Sequence, residues 1–556
     1  MTESLKGQRR LRLIICGFAL CFAVILVRLA QLSLWPAASE SGPAQLASEE
    51  KQARPQIVDR NGVVLATDLD IPSLYADPSK ILDADEAIEL LTATMPELTT
   101  QELRHKLARR SAFTWIKRQI TPRQKELVHN LGIPGLGFRN ETRRVYPMGR
   151  LAAHVVGYVD VDSRGLAGIE RYLDEKGALF KASLAEPGKL AAQPAVLSLD
   201  VRVQHALADE ISAAIRKFKA QAGAGLVLDA RTGEVIAAVS LPDFNPNDPA
   251  EAQDKSRMNR FSGGVFELGS SVKTVTFAMA LDAGVTDLGQ SYDCRLPLPA
   301  GGSEIDDYHA TRRVLTVPEV FIHSSNIGTA KMALDVGVEG HQEFLKKIGL
   351  LDRLRTELPE AAEPLYPRRW SRVNTMTASF GHGLSIQPLQ LLAVVAAFVN
   401  GGLLTEPTFF KRDEEAAKAV SRQIISERTS GFMRYLMELN VTQGTATKAA
   451  APGYRVGGKT GSAEKVMNGR YSGDHRLTTF VGAFPMDKPR YALLVMLDEP
   501  QPTKETFGFA TAGWNAVPAA GRIVRRIGPI LGVEPEISPE DAITLAEQIK
   551  PGTAGD

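Results

Sequence analysis

Cysteine is nearly missing from this chain: Cys16, Cys21 and Cys294 are the only three in 556 residues. Two of them sit in one apolar segment and the third lies far along the chain. No disulfide framework is encoded, and cysteine usage alone does not fix the compartment. A surplus of either charge is missing as well, with 65 Lys and Arg against 64 Asp and Glu. Without a basic field to attract it, nucleic acid is not an expected partner. The nine histidines include no His-Glu-x-x-His or similar cluster, which removes the usual pattern of a zinc hydrolase. The glycine-rich stretch Arg455–Lys465 lacks the Gly-x-x-x-x-Gly-Lys-Thr spacing, so a phosphate-binding loop is not expected either. The length suffices for about two to four domains that hold together without staples.

The N-terminus does carry a compartment signal. Lys6, Arg9, Arg10 and Arg12 precede Leu13–Val27, an uncharged and almost wholly apolar run; Arg28 interrupts, and Leu29–Trp35 continues in mixed character. A helix over residues 13–35 would be about 34 Å long at 1.5 Å per residue, enough to cross a hydrocarbon core of about 30 Å. The basic flank comes first, so residues 1–12 form a cytoplasmic tail and everything after Trp35 lies outside. A cleaved signal peptide would also show an apolar core followed by small residues such as Ala37 and Ala38. The stretch is read as a retained anchor because it outruns a typical signal core. Arg28 and Gln31, spaced i and i+3, either snorkel toward the outer headgroups or face a partner's membrane helix.

Residues 36–53 are rich in Ala, Ser, Glu, Gly and Pro without periodicity and read as a linker. Residues 54–194 form a first exported domain that opens on Ile57–Ala66, two apolar runs around Asn61-Gly62 that predict a hairpin. Helical periodicity follows near Asp85–Met95 and Gln101–Arg109. No catalytic spacing appears there, so the domain reads as a pedestal or docking module. Residues 195–535 form a second domain, and 536–556 a tail. Helical periodicity covers Val201–Phe218. Gly225–Asp229 with Glu234–Ser240, and Thr478–Phe484 with Tyr491–Leu497, read as hairpins. The segments between them, Val272–Ala283, Val317–Leu334 and Pro388–Asn400, read as helices. Strands at both ends and helices between predict an α+β domain, an antiparallel sheet closed by its first and last segments around a helical subdomain.

Three short motifs fall in that domain in one order: Ser270-Ser271-Val272-Lys273, Ser324-Ser325-Asn326 and Lys459-Thr460-Gly461. Ser-x-x-Lys occurs three times, at Ser48, Ser270 and Ser462, and only the Ser270 copy has both other motifs downstream. Together they supply the parts of serine acyl transfer. Ser270 at a helix N-terminus is placed for developing negative charge, and Lys273 at i+3 can take its proton once burial and a nearby cation, Lys459, lower its pKa. Ser324 could relay a proton, and Asn326 offers a donor and an acceptor to a bound peptide. Two serines and an asparagine suit a helix poorly, a local conflict of the kind that marks functional sites. Arg455–Lys465 reads as an edge strand to which a peptide adds, with Lys459 and Thr460 holding a carboxylate. The N–H groups of Ser270 and Ser462 are candidates for the oxyanion hole.

On these motifs the chain closely resembles the class B penicillin-binding proteins, monofunctional peptidoglycan transpeptidases, and among them the division-specific (FtsI) type. Further landmarks are Val58-Asp59-Arg60-Asn61-Gly62, Arg144-Val145-Tyr146-Pro147, His154-Val155-Val156-Gly157, Gly168-Ile169-Glu170, Phe244-Asn245-Pro246-Asn247, Gly381-His382-Gly383 and Thr445-Ala446-Thr447. The resemblance implies a serine β-lactamase-like catalytic domain in which Ser270 is acylated. Lys273, Ser324, Asn326 and Lys459 would complete the catalytic set, and Thr460, Gly461 and Ser462 would bind substrate. It also implies a D-Ala-D-Ala stem-peptide donor, an amine acceptor, inhibition by β-lactams, and neither metal nor cofactor. Membrane partners would be a polytopic glycan polymerase and divisome proteins at the septum of the inner membrane. Two departures stand out, Leu268 where the family often has proline and Arg54-Pro55 where Arg-Gly is usual. The rival readings are an elongation-specific relative, a non-catalytic penicillin-binding sensor and a β-lactamase. A bifunctional class A enzyme would need a glycosyltransferase domain, for which the pedestal region is too short.

Overall fold

The computed structural model describes residues 20, 22–26, 54–108, 111–176, 193–467 and 469–536. Residues 1–53 form one unit and the chain from Arg54 onward another. In the first, residues 20 and 22–26 are helical. The rest of the expected anchor, with Arg28 and Gln31, lies outside the described residues, as do the cytoplasmic tail and the linker. Among the described residues no helix is long and apolar enough to cross a membrane.

In the second unit the expected hairpin forms, and its return strand is longer than the sequence suggested. Val64–Ala76 pairs with Ile57–Val58, with Thr114–Lys117 and, from Thr67 to Ala76, with Leu136–Val145. Asp59 closes the turn, its Oδ1 accepting the Asn61 and Val63 N–H groups at 2.8 Å each. Helices Ala84–Thr94, Thr100–Leu107 and Pro122–His129 start at Asp83, Thr99 and Thr121, whose side chains accept otherwise unpaired N–H bonds of the first turn. Leu74, Leu91, Met95, Leu103, Ile116 and Ile120 close a small core between these helices and the sheet. Deeper in, the fully buried Arg144 pairs with Glu170 at 2.7 Å and with Asp68 at 2.9 Å, and Arg54 joins Glu170 at 2.9 Å. At the unusual Arg54-Pro55 step, the Pro55 carbonyl accepts from Arg144 at 2.8 Å.

The hairpin turn also ties this region to the next. Asp59 Oδ2 accepts the Val201 N–H at 3.1 Å, Asn61 Nδ2 donates to Asp200 at 3.1 Å, and Ala195–Val196 runs parallel to Ile57–Val58. Helix α1 (Val201–Phe218) starts at the Asp200 cap and stops at Lys219, whose backbone is left-handed with φ +48°. Strands β1 (Ala222–Asp229) and β2 (Val235–Leu241) follow. After them come helices α2 (Lys273–Asp282), α3 (Asn326–Val336), α4 (Pro388–Val399) and α5 (Glu427–Gln443). Strands β3 (Gly457–Met467), β4 (Arg470–Phe484) and β5 (Tyr491–Asp498), then helix α6 (Ala516–Ile530), complete the domain.

The sheet runs in the order β3-β4-β5-β1-β2, antiparallel throughout, so the last strand pairs with the first. Both of its faces are covered, which is why β1 and β5 read as unbroken apolar runs. Leu226, Leu494 and Met496 join the core of α2 and α4, whereas Val227, Leu493 and Val495 join the core of α1 and α6. Every residue of α4 is buried. At about 1.5–3 kcal/mol for each buried Leu, Val or Phe side chain, this helix anchors the subdomain that carries the motifs.

Candidate active site

The first motif does not open its helix directly. Gly269–Val272 is a 3₁₀ turn that leads into α2, and Ser270 stands in that turn, half-buried. Two glycines let other backbones close on it. A Cβ at Gly461 of β3 would stand 2.3 Å from the Leu268 carbonyl and 2.5 Å from Ser271 Oγ, and one at Gly381 would stand 2.3 Å from the Gly269 carbonyl. Leu268, in the place where proline is common, is buried and its carbonyl accepts from Thr479 Oγ1 at 3.2 Å.

The second motif breaks a helix that the sequence predicts as continuous. Val317–Ile322 ends before Ser324, and α3 begins after Ser325. Ser324 takes φ +57°, a left-handed conformation that costs a non-glycine residue about 1 kcal/mol or more and that hydrophobic periodicity cannot reveal. Ser325 caps α3, its Oγ accepting from Gly328 N at 3.0 Å and donating to Asp307 Oδ2 at 2.7 Å. Asp307 Oδ1 accepts the Ile327 N–H at 3.0 Å, and the Asp306 carbonyl accepts from Asn326 Nδ2 at 2.9 Å. These two aspartates hold the motif in place, and sequence reasoning missed them. Their only signal is an acidic pair in a segment without periodicity.

The three motifs meet at Ser324. Lys273, 0% exposed, donates from Nζ to Asn326 Oδ1 at 2.8 Å, to Ser324 Oγ at 3.2 Å and to the Ser324 carbonyl. Lys459, also 0% exposed, donates to the same Ser324 Oγ at 2.9 Å. Burial pushes the Lys273 amine down to about 7 against the opposing pull of Asp307 and Cys294. Burial, and then the charge of Lys273, pushes Lys459 well below the usual lysine range. Burial is the first cause for both amines, and the repulsion between the two lysines disfavours charge on the pair.

Strand alternation sorts the third motif. Lys459 and Gly461 face Ser324 and the Ser270 turn. Thr460 and Ser462 face the other way, Thr460 Oγ1 lying 2.9 Å from Thr445 Oγ1 and Ser462 Oγ accepting the Ala512 N–H at 3.0 Å. Lys459 Nζ also lies 3.4 Å from Thr460 Oγ1, so a carboxylate held by that hydroxyl would lie beside the ammonium expected from the sequence. Asn440 braces the edge, donating to the Gly458 carbonyl at 2.8 Å and accepting from Thr445 Oγ1 at 3.1 Å. Among the other Ser-x-x-Lys pairs, Lys465 is held by Asp498 and Glu499 at 2.9 and 2.6 Å, and Ser48–Lys51 lies outside the described residues.

A serine turn against a sheet edge, with two buried lysines sharing one hydroxyl, defines a serine acyltransferase fold. Residues 223–518 match the penicillin binding protein transpeptidase domain, and residues 49–176 match the penicillin-binding protein dimerisation domain. The chain belongs to the class B penicillin-binding proteins. It is 38% identical to the probable peptidoglycan D,D-transpeptidase FtsI of Caulobacter vibrioides, over 97% of this chain and 91% of that protein. It is 30% identical to the peptidoglycan D,D-transpeptidase FtsI of Escherichia coli K12, over 89% of this chain and 86% of that protein. Penicillin binding protein 3 of Mycobacterium tuberculosis, solved in complex with aztreonam, superposes with a TM-score of 0.67 at 25% identity, covering 87% of this chain and 97% of that one.

Proposed function

We propose that this chain is the septal peptidoglycan D,D-transpeptidase of a bacterial inner membrane, crosslinking stem peptides through an acyl-enzyme on Ser270. The observation that carries this reading is the meeting at the Ser324 hydroxyl of two buried lysines, one of which, Lys273, stands three residues on from Ser270. The donor peptide adds along the open edge of β3, its terminal carboxylate held by the hydroxyls of Thr460, Ser462 and Thr445. Neutral Lys273 takes the Ser270 proton, and Oγ attacks the penultimate D-Ala carbonyl. The oxyanion is held by the Ser270 and Ser462 N–H groups. Collapse breaks the amide bond while Ser324, fed by Lys273, protonates the leaving nitrogen, and terminal D-Ala departs. An amine of a neighbouring strand then attacks the ester, the C–N bond forms, the C–Oγ bond breaks, and Ser270 recovers a proton. Asn326 fixes Lys273 through its carbonyl and offers its amide to the peptide, and Lys459 keeps Ser324 oriented. A penicillin would be opened by the same attack and leave Ser270 blocked as an ester.

Residues 13–35 are proposed to anchor the chain once, with 1–12 in the cytoplasm and 36–53 as the tether. Residues 54–194 would form the pedestal, 195–535 the transpeptidase domain and 536–556 the tail. The septal role draws on the likeness to relatives named FtsI. A polytopic glycan polymerase and divisome membrane proteins are the partners it implies.

Fluorescent-penicillin labelling of membranes that carry wild type or Ser270→Ala tests the chemistry. Stable label on wild type alone is expected; full label on the mutant refutes the nucleophile, and rapid release of label identifies a β-lactamase. A chain that takes label but crosslinks nothing is a sensor. Depletion of the protein should give filaments, and round cells would reassign it to elongation.

A further inference from the structure

Three side chains without a part in that scheme lie against the backbone that carries Ser270. Glu267 precedes the nucleophile turn, and its Oε1 accepts from Gly383 N at 2.9 Å and from Tyr471 OH at 3.1 Å. His382, next to the Gly381 that touches the Gly269 carbonyl, stacks on Tyr471 with ring centroids 5.1 Å apart and planes at 16°, and meets Phe380 edge-on at 5.3 Å. Glu267 Oε2 is buried and has no hydrogen-bond partner among the described residues. A buried carboxylate oxygen left this way is costly unless something arrives to use it. Neither ring nitrogen of His382 is engaged among the described residues. The charged groups that face this imidazole are Glu267, Glu464 of β3 and Lys273 of α2. Burial holds it below the usual histidine range, which the two carboxylates oppose and Lys273 reinforces, so it is neutral at neutral pH.

An alkyl amine is carried as an ammonium at neutral pH and is no nucleophile until it loses a proton. A site for such an acceptor needs an anion to bind it and a base to activate it. We infer that Glu267, His382 and Tyr471 form the acceptor subsite of this enzyme, which binds its acceptor as a primary alkylammonium. This rests on the transpeptidase reading and adds its second half. Glu267 Oε2 binds the incoming ammonium, and His382 removes one proton and later returns it to solvent. The freed amine attacks the Ser270 ester, forming the C–N bond and breaking the C–Oγ bond, and its second proton passes through Lys273 to Ser270 Oγ. Tyr471 holds the carboxylate and the imidazole in register.

The test uses the full-length enzyme in detergent, a thioester stem-peptide donor and two acceptor probes. One is an Nα-blocked lysine amide; the other is hydroxylamine, which is uncharged at neutral pH and needs no deprotonation. Glu267→Gln keeps the size of the side chain, and His382→Phe keeps the ring stack while removing both nitrogens. In His382→Phe, transfer to the lysine amine should fall about 100-fold or more relative to transfer to hydroxylamine, the usual scale of a lost general base, and Glu267→Gln should lower the same ratio through weaker ammonium binding. Taken as a ratio to hydroxylamine transfer, which shares the Lys273 titration, lysine-amine transfer by His382→Phe should also lose the extra decline that wild type shows as His382 becomes protonated at acid pH. Equal loss with both acceptors, or no loss with either, overturns the subsite while penicillin label on Ser270 still upholds the transpeptidase. A wild type that takes neither penicillin nor donor overturns both.

Discussion

A lysine amine accepts a proton at neutral pH only where its charged form is disfavoured, and enclosure does this to Lys273. With its amine at about 7, acylation by penicillin should rise as pH passes through about 7 and then level off. Lys273→Arg, charged at every accessible pH, should lose at least about 100-fold in acylation rate. Stopped-flow acylation across a pH series checks both. The linkage has a fixed sign. Between about 7 and the unfolded lysine value of roughly 10.4 the unfolded chain binds one proton more at this site, so this residue adds stability as pH rises through that window. Asp307 pulls the other way on Lys273 and holds the Ser324–Asn326 turn by two hydrogen bonds. Asp307→Asn should therefore move the acylation midpoint to lower pH and, by losing one of those bonds, slow acylation about fivefold, near 1 kcal/mol. The same pH series on the variant reads both effects. The motif residues were legible in the sequence because each is chemically conspicuous and their order is shared. Asp307, Glu267 and Tyr471 were not, since a carboxylate or a phenol becomes meaningful only through what the fold sets beside it.

At the scale of elements, the sheet hairpins and α1 could be read directly, because both are apolar patterns bounded by turn residues. Helix Val317–Leu334 was drawn as continuous because periodicity passes smoothly over Ser324, whose left-handed backbone is what divides it. The reach of the return strand from Ala66 to Ala76, and the strand Leu136–Val145, are not legible for another reason. Their central residues are half-exposed or exposed, so no alternation of apolar and polar side chains marks them. The contact between β3 and the Ser270 turn gives a sharp prediction. Gly461→Ala puts a methyl group 2.3 Å from the Leu268 carbonyl. It should cost about 1–3 kcal/mol of stability by overpacking and push β3 off the turn. Thermal melts should show a modest shift, and penicillin labelling should show a loss far larger than that shift explains.

At the scale of the molecule, the pedestal is held by charges in its interior as well as by its small apolar core. Glu170, with no exposed side-chain surface, sits between Arg144 and Arg54. Glu170→Gln removes the anion the two guanidinium groups share, leaving Arg144 with Asp68 and Arg54 with Asp174, and should destabilise this region by roughly 1–3 kcal/mol. Limited proteolysis and denaturant unfolding of the detergent-solubilised chain would detect the loss, and cleavage should begin in residues 54–176. The sheet order has a further consequence, for the way the protein is made. Translation delivers Ser270 well before the strand that carries Lys459 and the strand that docks on β1. A polypeptide that stops short of residue 457 has the proposed nucleophile but neither the proposed substrate edge nor the second lysine that bonds Ser324. Truncated products are born inert. They are expected neither to take up penicillin nor to crosslink, and competence waits for β3 and β4 to fold against the Ser270 turn.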